Sequence, residues 1–169
     1  METEIYEQTA RLHKNTVYAY ASHMLRDSEE ARDVAQEALV RLWQHRGTVE
    51  TDSARQWLMR TTYNLCIDRI RHRKVRAEVE GETIIPMKAD NHPGPLQLAQ
   101  SGELGKQIEE AMEALSPQDR TVLLMREVQG LPYDEIAGAL DLPLGTLKAR
   151  LHRARERLRS RLVRAGVSP

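Results

Sequence analysis

The sequence predicts an all-α protein of two small helical domains joined by a linker, the C-terminal domain being a helix-turn-helix. Apolar residues recur at helical spacing along most of the chain, and no segment alternates as a strand would. Prolines and glycines interrupt this pattern between residues 79 and 105 and break any long helix there. We therefore place the domains at residues 1–78 and 106–165 and the linker at residues 79–105.

The first domain is predicted to contain three helices. The first covers residues 4–26. Asp27 or Ser28 can cap the second, whose glutamates lie in the first turn, where the helix dipole favours them. A polar loop, residues 46–53, separates it from a third helix that runs to about Arg76. The second helix carries a clean apolar stripe, made of Ala31, Val34, Ala35, Ala38, Leu39, Leu42 and Trp43.

The second domain is predicted to contain four helices. One begins near Lys106. Ser116 caps the next in a capping-box-like spacing, and Gly130 ends it. Pro132 opens a short helix, and after a tight turn Pro143 opens a long one. The long helix is predicted to bury one stripe, made of Leu147, Leu151, Ala154, Leu158 and Leu162.

Charge is strongly segregated although the formal net charge is zero. Residues 51–77 carry seven basic and two acidic side chains, and residues 142–169 carry eight and one. Residues 78–141, between them, carry four basic and thirteen acidic side chains. Screening limits the range of each charge's electrostatic interactions to about 10 Å at moderate salt. Local charge therefore matters more for DNA binding than the net charge of the chain. Each basic block is either an ordinary solvated face or a nucleic-acid surface.

The C-terminal block follows the layout of a helix-turn-helix: a short helix, a tight turn and a long cationic helix. In this motif the N-terminal half of the last helix enters the major groove. Arginine and lysine there can meet guanine edges, whereas Arg150, Arg155 and Arg157 suit phosphates. The candidate base-reading residues are Thr146, Lys148, Ala149, His152 and Arg153.

Motifs of catalysis and metal binding are missing from the sequence. Its one cysteine, Cys66, excludes an internal disulfide and a cysteine-based zinc cluster. The six histidines show no ligand spacing, and no glycine-rich phosphate loop or GxSxG motif occurs. We expect no enzyme activity, metal or cofactor. The N-terminus is too polar for a signal peptide and no apolar run approaches a membrane span, which favours a cytoplasmic protein without membrane insertion.

Three segments, in this order, resemble bacterial sigma factors of the extracytoplasmic-function (ECF) group. DSEEARDVAQEALVRLW resembles the helix that docks on the clamp of RNA polymerase. SARQWLMRTTYNLCIDRIRHRK resembles the helix that holds the −10 promoter element. LSPQDRTVLLMREVQGLPYDEIAGALDLPLGTLKARLHRARERLR resembles the domain that reads the −35 element. The resemblance covers nearly the whole chain outside the linker.

The resemblance implies three sets of site residues. Polymerase docking is expected at Asp33, Gln36, Glu37 and Leu39. Contacts near the −10 strand are expected at Arg60, Asn64, Arg71 and Lys74, with the loop from Gly47 to Ser53 capturing a flipped base. Base reading at the −35 element is expected at Lys148, Ala149, His152 and Arg153, beside Thr146 and Arg150. Two departures matter: the loop lacks the family's aromatic residues, and Ala149 replaces a frequent serine.

The function implied is that of a transcription initiation factor. It would bind core RNA polymerase, direct it to promoter DNA and help to open the duplex, and an anti-sigma factor would mask these surfaces. Two alternatives stay open. A stand-alone helix-turn-helix regulator would form a dimer on a palindromic site. A helical adaptor with a purely structural role would bind no DNA at any salt concentration.

Overall fold

A computed structural model describes residues 1–81 and 102–168. The chain divides between residues 92 and 93 into two compact units. All regular elements within the described ranges are helical, which confirms the predicted fold class. Most of the predicted linker lies outside those ranges.

The first unit has three α-helices within its described residues. They are α1 (Thr3–Leu25), α2 (Ser28–Gln44) and α3 (Ala54–Glu80), and a 3₁₀ turn (Thr51–Ser53) precedes α3. The cap of α2 is as predicted, because the Asp27 carboxylate accepts a hydrogen bond from the backbone N–H of Glu30 at 2.9 Å.

The third helix is longer than predicted. It continues past Arg76 to Glu80 and ends at Gly81, whose φ of 65° is the left-handed conformation that commonly terminates helices. The first residues of the predicted linker are therefore helical. The side chains of these final turns are largely exposed, so they add no apolar stripe by which the sequence could have revealed them.

The core of the first unit lies where the three helices pack on one another. Five residues of the predicted α2 stripe are buried: Ala31, Val34, Ala35, Ala38 and Leu42. Leu39 and Trp43, at the edge of the stripe, are half-buried. Tyr20 and Leu25 of α1 and Leu58 of α3 are also buried, and each fully buried leucine stabilises the fold by about 1.5–3 kcal/mol.

The second unit has four α-helices within its described residues. They are α4 (Glu103–Glu113), α5 (Pro117–Leu123), α6 (Tyr133–Leu140) and α7 (Leu144–Arg164). A π-helical turn (Leu124–Val128) continues α5 toward Gly130; a helix over these residues was predicted, but its π-helical geometry was not. The first of these helices begins three residues earlier than expected.

The helix ends of this unit follow the predicted chemistry. The Ser116 hydroxyl accepts a hydrogen bond from the backbone N–H of Asp119 at 3.2 Å and caps α5. Gly130 has a φ of 65° and turns the chain after the π-helical turn. Asp141, with a φ of 54°, ends α6. These ends position the short helix and the long helix of the predicted motif.

The apolar stripe of α7 is buried only in its first half. Leu147, Leu151 and Ala154 are buried, whereas Leu158 and Leu162 are half-buried. The physical reason is length: α7 has 21 residues, while α5 has 7 and α6 has 8. At about 1.5 Å per residue, α7 is far longer than either, and its last turns line an open groove with Ala114, Leu115 and Ser116.

Candidate nucleic-acid and partner interfaces

The N-terminal half of α7 presents a continuous exposed face. Because its buried seam holds one side of the helix against the second unit, the opposite side faces solvent. Ala149, His152 and Arg153 are exposed and, at 100° per residue, fall within an arc of about 100°. Lys148 is exposed and Arg150 half-exposed, and they lie on opposite flanks of this arc. Thr146 is exposed one turn nearer the helix start.

A tight turn joins α6 to α7, as the sequence predicted. The backbone N–H of Leu142 donates to the carbonyl of Ala137 at 2.9 Å, and Pro143 precedes the first residue of α7. Ala137 is buried, so a small side chain lies where the two helices approach each other. This is the layout by which a helix-turn-helix presents its second helix to the major groove.

Two arginines of α7 are paired within the second unit instead of facing solvent freely. Arg155 binds Glu127 of the π-helical turn, its Nε donating to the carboxylate at 2.7 Å. The hydrogen bond with Glu127 is also the main reason why the pKa of Arg155 is raised. Arg157 pairs with Asp119 at the start of α5. Both guanidinium groups, which the sequence suggested for phosphate contacts, therefore have carboxylate partners within their own unit.

A polar face runs along α3. Arg60, Asn64, Arg71 and Lys74 are exposed and fall within an arc of about 80°. The structure therefore brings the four predicted −10 residues onto one side of one helix. Arginine and lysine on such a side suit backbone phosphates, and the Asn64 amide can bond a base edge.

Other arginines of the same basic block are engaged inside the unit. Arg73 donates to the backbone carbonyl of Leu25 at 2.9 Å and pairs with Glu30. Arg76 pairs with Glu80 one turn further along α3, at 2.9 Å. The charge count of this block therefore overstates the cationic surface that a ligand would meet.

Aromatic side chains flank the loop at residues 46–53, although the loop itself has none. The Arg46 guanidinium lies over the Trp43 ring, 3.8 Å from its centroid, and Trp43 makes an edge contact with Tyr6. On the other side, the rings of His45 and Trp57 lie 5.5 Å apart. Sequence reasoning missed these neighbours because it considered only the loop, whereas the tryptophans stand just before and just after it.

The exposed face of α2 carries three of the four predicted docking residues. Asp33 and Gln36 are exposed and Glu37 is half-exposed, within an arc of about 100°. Glu37 pairs with Arg41 at 2.6 Å and lies 4.0 Å from Arg69 of α3. Asp33 is thus the acidic residue of this face that forms no ion pair within the described ranges.

Leu39 does not share that face. It lies about 120° from Asp33 around the helix and is half-buried, while its carbonyl accepts a hydrogen bond from the Tyr6 hydroxyl at 3.0 Å. Val40, by contrast, is 46 % exposed and stands between Gln36 and Asp33 in angle. Sequence reasoning missed Val40, which its spacing of seven residues from Asp33 could have indicated.

Metal clusters and membrane-spanning helices are both absent from residues 1–81 and 102–168. No group of three or more histidine, cysteine, aspartate or glutamate side chains could hold a metal ion there. No helix in those ranges is both long enough and apolar enough to cross a membrane.

Comparison with protein families gives two matches, one in each unit. Residues 9–76 match sigma-70 region 2, which includes all of α2 and most of α3. Residues 105–158 match sigma-70 region 4, which includes the tight turn and most of α7. The two matches leave out residues 77–104, which include all of the predicted linker except its last residue.

Individual relatives extend the similarity over nearly the whole chain. The chain is 34% identical over 159 residues to the ECF RNA polymerase sigma factor SigW of Bacillus subtilis, covering 89% of this chain and 85% of SigW. It is 30% identical over 160 residues to the ECF RNA polymerase sigma factor SigE of Mycolicibacterium smegmatis, covering 94% of this chain and 62% of SigE. The sigma factor RpoE of Bartonella quintana, solved with the anti-sigma factor NepR, aligns with a TM-score of 0.78 and 25% identity, covering 93% of this chain and 96% of that one.

Proposed function

Because the chain belongs to the ECF group of bacterial RNA polymerase sigma factors, we propose that it binds core RNA polymerase and directs it to a specific class of promoters. In this role it reads the −35 and −10 elements and helps to open the DNA. It supplies selectivity and no catalysis of its own, so it is not an enzyme. It works in the cytoplasm, where the polymerase is.

The observation that carries this proposal is the exposed face of α7. A helix-turn-helix seats the N-terminal half of its second helix in the major groove, where each base pair has a distinct pattern of donors and acceptors. Lys148 and Arg153 can donate to the N7 and O6 atoms of guanine, and the Ala149 methyl can contact the methyl group of thymine. We place the −35 reading at these residues together with Thr146, Arg150 and His152.

The exposed side of α3 is proposed to hold the −10 element. Arg60, Arg71 and Lys74 bind the backbone of the opened strand, and Asn64 bonds a base edge. The loop from Gly47 to Ser53 receives a flipped base at its end. Flipping costs a few kcal/mol, which contacts to the extruded base and the strand must offset.

The exposed face of α2 is proposed to dock on core RNA polymerase through Asp33, Gln36 and Glu37. Val40 adds an apolar side chain at the centre of this face, and its burial against the partner favours binding. Leu39 lies on the flank of this face. It contributes to docking by packing α2 against the rest of the unit and by contacting the polymerase at the margin of the interface. Carboxylates surrounding an apolar side chain suit a partner surface with arginine or lysine at its rim.

We assign polymerase docking and −10 binding to residues 1–78, the linker to residues 79–105, and −35 binding to residues 106–165. An anti-sigma factor is the further partner we propose, since the similar RpoE of Bartonella quintana was solved with one. A stand-alone helix-turn-helix regulator is the alternative. The match of residues 9–76 to sigma-70 region 2 speaks against it, because such a regulator has no need of that region.

Run-off transcription tests the proposal directly. Core RNA polymerase is mixed with the full chain and a library of promoters randomised around the −35 and −10 positions, and the transcripts are sequenced. We expect transcripts enriched for one pair of elements at one spacing. Core enzyme alone sets the background, and an unchanged distribution of start sites upon addition of the chain would refute the function.

A further inference from the structure

We propose that Arg155 and Arg157 are positioning residues, which fix how α7 is rotated against the rest of the second unit and so aim the residues that read the −35 element. This rests on the proposed function and deepens it. Two ion pairs, one on each side of the recognition helix, carry the inference.

The first pair joins α7 to the π-helical turn. Arg155 binds one carboxylate oxygen of Glu127 through both Nε and Nη2, across 28 residues of sequence. Two donors of one guanidinium fix its plane as well as its distance from the carboxylate. The Tyr133 side chain, on the first residue of α6, is close enough to Arg155 to help to raise the pKa of the guanidinium.

Tyr133 is itself held in place. The Arg126 guanidinium lies over its ring, 4.6 Å from the centroid, and also donates to the carbonyl of Leu131 at 3.0 Å. Arg126 belongs to the π-helical turn, as does Glu127. The cluster therefore joins three consecutive pieces of the motif: the π-helical turn, the start of α6 and the middle of α7.

The second pair joins α7 to the start of α5. The Asp119 side chain is only 8 % exposed, and Arg157 reaches it across 38 residues of sequence. A carboxylate this buried needs a cation, because removal of the partner leaves an uncompensated charge inside the protein. Arg157 is thereby committed to Asp119 and is a poor candidate for a phosphate contact.

The two pairs lie on opposite flanks of α7. At 100° per residue, Arg155 is about 120° from Ala149 in one direction and Arg157 about 80° in the other. Rotation of α7 about its axis would stretch one pair or the other. Base reading tolerates errors of only about 10–20° in the orientation of a side chain, so holding the helix at one rotation preserves selectivity.

The Glu127 pair gives the sharper experiment, because both of its side chains are about half exposed and tolerate charge reversal. The variants are Arg155→Glu, Glu127→Arg and the double variant with both changes. Each is combined with core RNA polymerase, well below its melting temperature, on the promoter selected from the library and on a copy with a scrambled −35 element. The ratio of the two transcription rates measures selectivity.

We expect each single variant to lower the selectivity ratio about tenfold, roughly the effect of one mismatched base in the site. We expect the double variant to recover most of it. A phosphate-binding Arg155 predicts otherwise: the double variant still places a glutamate toward DNA and stays as defective as Arg155→Glu. That result would overturn the inference.

Arg159→Glu is the matched control, since Arg159 is exposed on the same helix and the substitution changes the charge equally. It should reduce the rates on both promoters alike.

Thermal melting of the same proteins distinguishes failure of the proposed function from failure of this inference. If the wild-type chain selects no promoter, the proposed function fails. If the double variant does not regain the melting temperature of the wild type, the proposed role of the Arg155–Glu127 pair is refuted. If the single variants have lowered melting temperatures but an unchanged selectivity ratio, the pair stabilises the fold without aiming the helix, and the inference is also refuted.

Discussion

Lys148 and Arg153 are the residues whose replacement should most directly affect −35 recognition. Both are exposed on α7, and no ion pair engages either of them within residues 1–81 and 102–168. Replacing either by alanine should weaken recognition by about 1–3 kcal/mol for each base that the side chain would have read. Transcription from the selected promoter measures this, with Arg159→Ala as a control. Full activity of both variants would remove them from the base-reading set.

His23 should make the protein sensitive to acid. Its side chain is buried in α1 and its Nε2 has no hydrogen-bond partner. Burial, and secondarily the charge of Arg26, lowers its pKa from 6.5 to about 4. A lowered folded-state pKa means that the unfolded chain binds the proton more tightly. Stability is therefore full above pH 6.5 and is lost as the pH falls toward 4.

The size of the effect follows from this shift. We expect a loss of about 2 kcal/mol in the free energy of unfolding between pH 7 and pH 5, measured by urea denaturation. His23→Gln should flatten this dependence, whereas the same change at His72, which is exposed on α3, should not. Equal slopes for wild type and His23→Gln would show that another group causes the loss.

Among the elements, α3 is fastened to both other helices of its unit by Arg73. This half-buried side chain binds the last carbonyl of α1, at Leu25, and the Glu30 carboxylate in the first turn of α2. Arg73→Ala should lower the free energy of unfolding by about 1.5–3 kcal/mol, the usual worth of hydrogen bonds to a charged group. Chemical denaturation measures it, and Lys74→Ala, a change at an exposed neighbour, should have little effect on stability.

The docking face of α2 is best tested at Asp33. Asp33→Arg should abolish binding to core RNA polymerase in a pull-down, because it reverses an exposed charge without breaking an ion pair of the described residues. Glu37→Arg is a less specific test of docking, because it would also disrupt the pairs with Arg41 and Arg69. Glu7→Arg on α1 is the matched control, being an exposed charge reversal on another helix. Undiminished binding of Asp33→Arg would remove the docking assignment.

Local patterns predicted the elements well but could not predict their long-range pairing. The stripe of α2, the Ser116 cap and the tight turn before α7 depend on residues within a few positions of each other, which a sequence displays directly. The partners of Arg155 and Arg157 are 28 and 38 residues away, so spacing gave no hint that these arginines are occupied. The π-helical turn likewise has no simple local signature.

The two units divide the proposed functions between them: the first docks on the polymerase and holds the −10 element, and the second reads the −35 element. A sigma factor of this kind should be a monomer, whereas a stand-alone helix-turn-helix regulator needs a dimer to read a palindromic site. We therefore expect the purified chain to elute from a sizing column with the mass of one copy, with light scattering as an independent measure. A stable dimer whose DNA site is a palindrome would favour the regulator.

The fastening of α2 to α3 bears on how recruitment and strand separation are related. Glu30 belongs to the helix proposed to grip the enzyme, and Arg73 to the helix proposed to hold the melted strand. We therefore expect a tilt that the polymerase imposes on one helix to be transmitted to the other. Docking of the unit on the polymerase would then fix the position of the α3 surface that holds single-stranded DNA before any promoter binds.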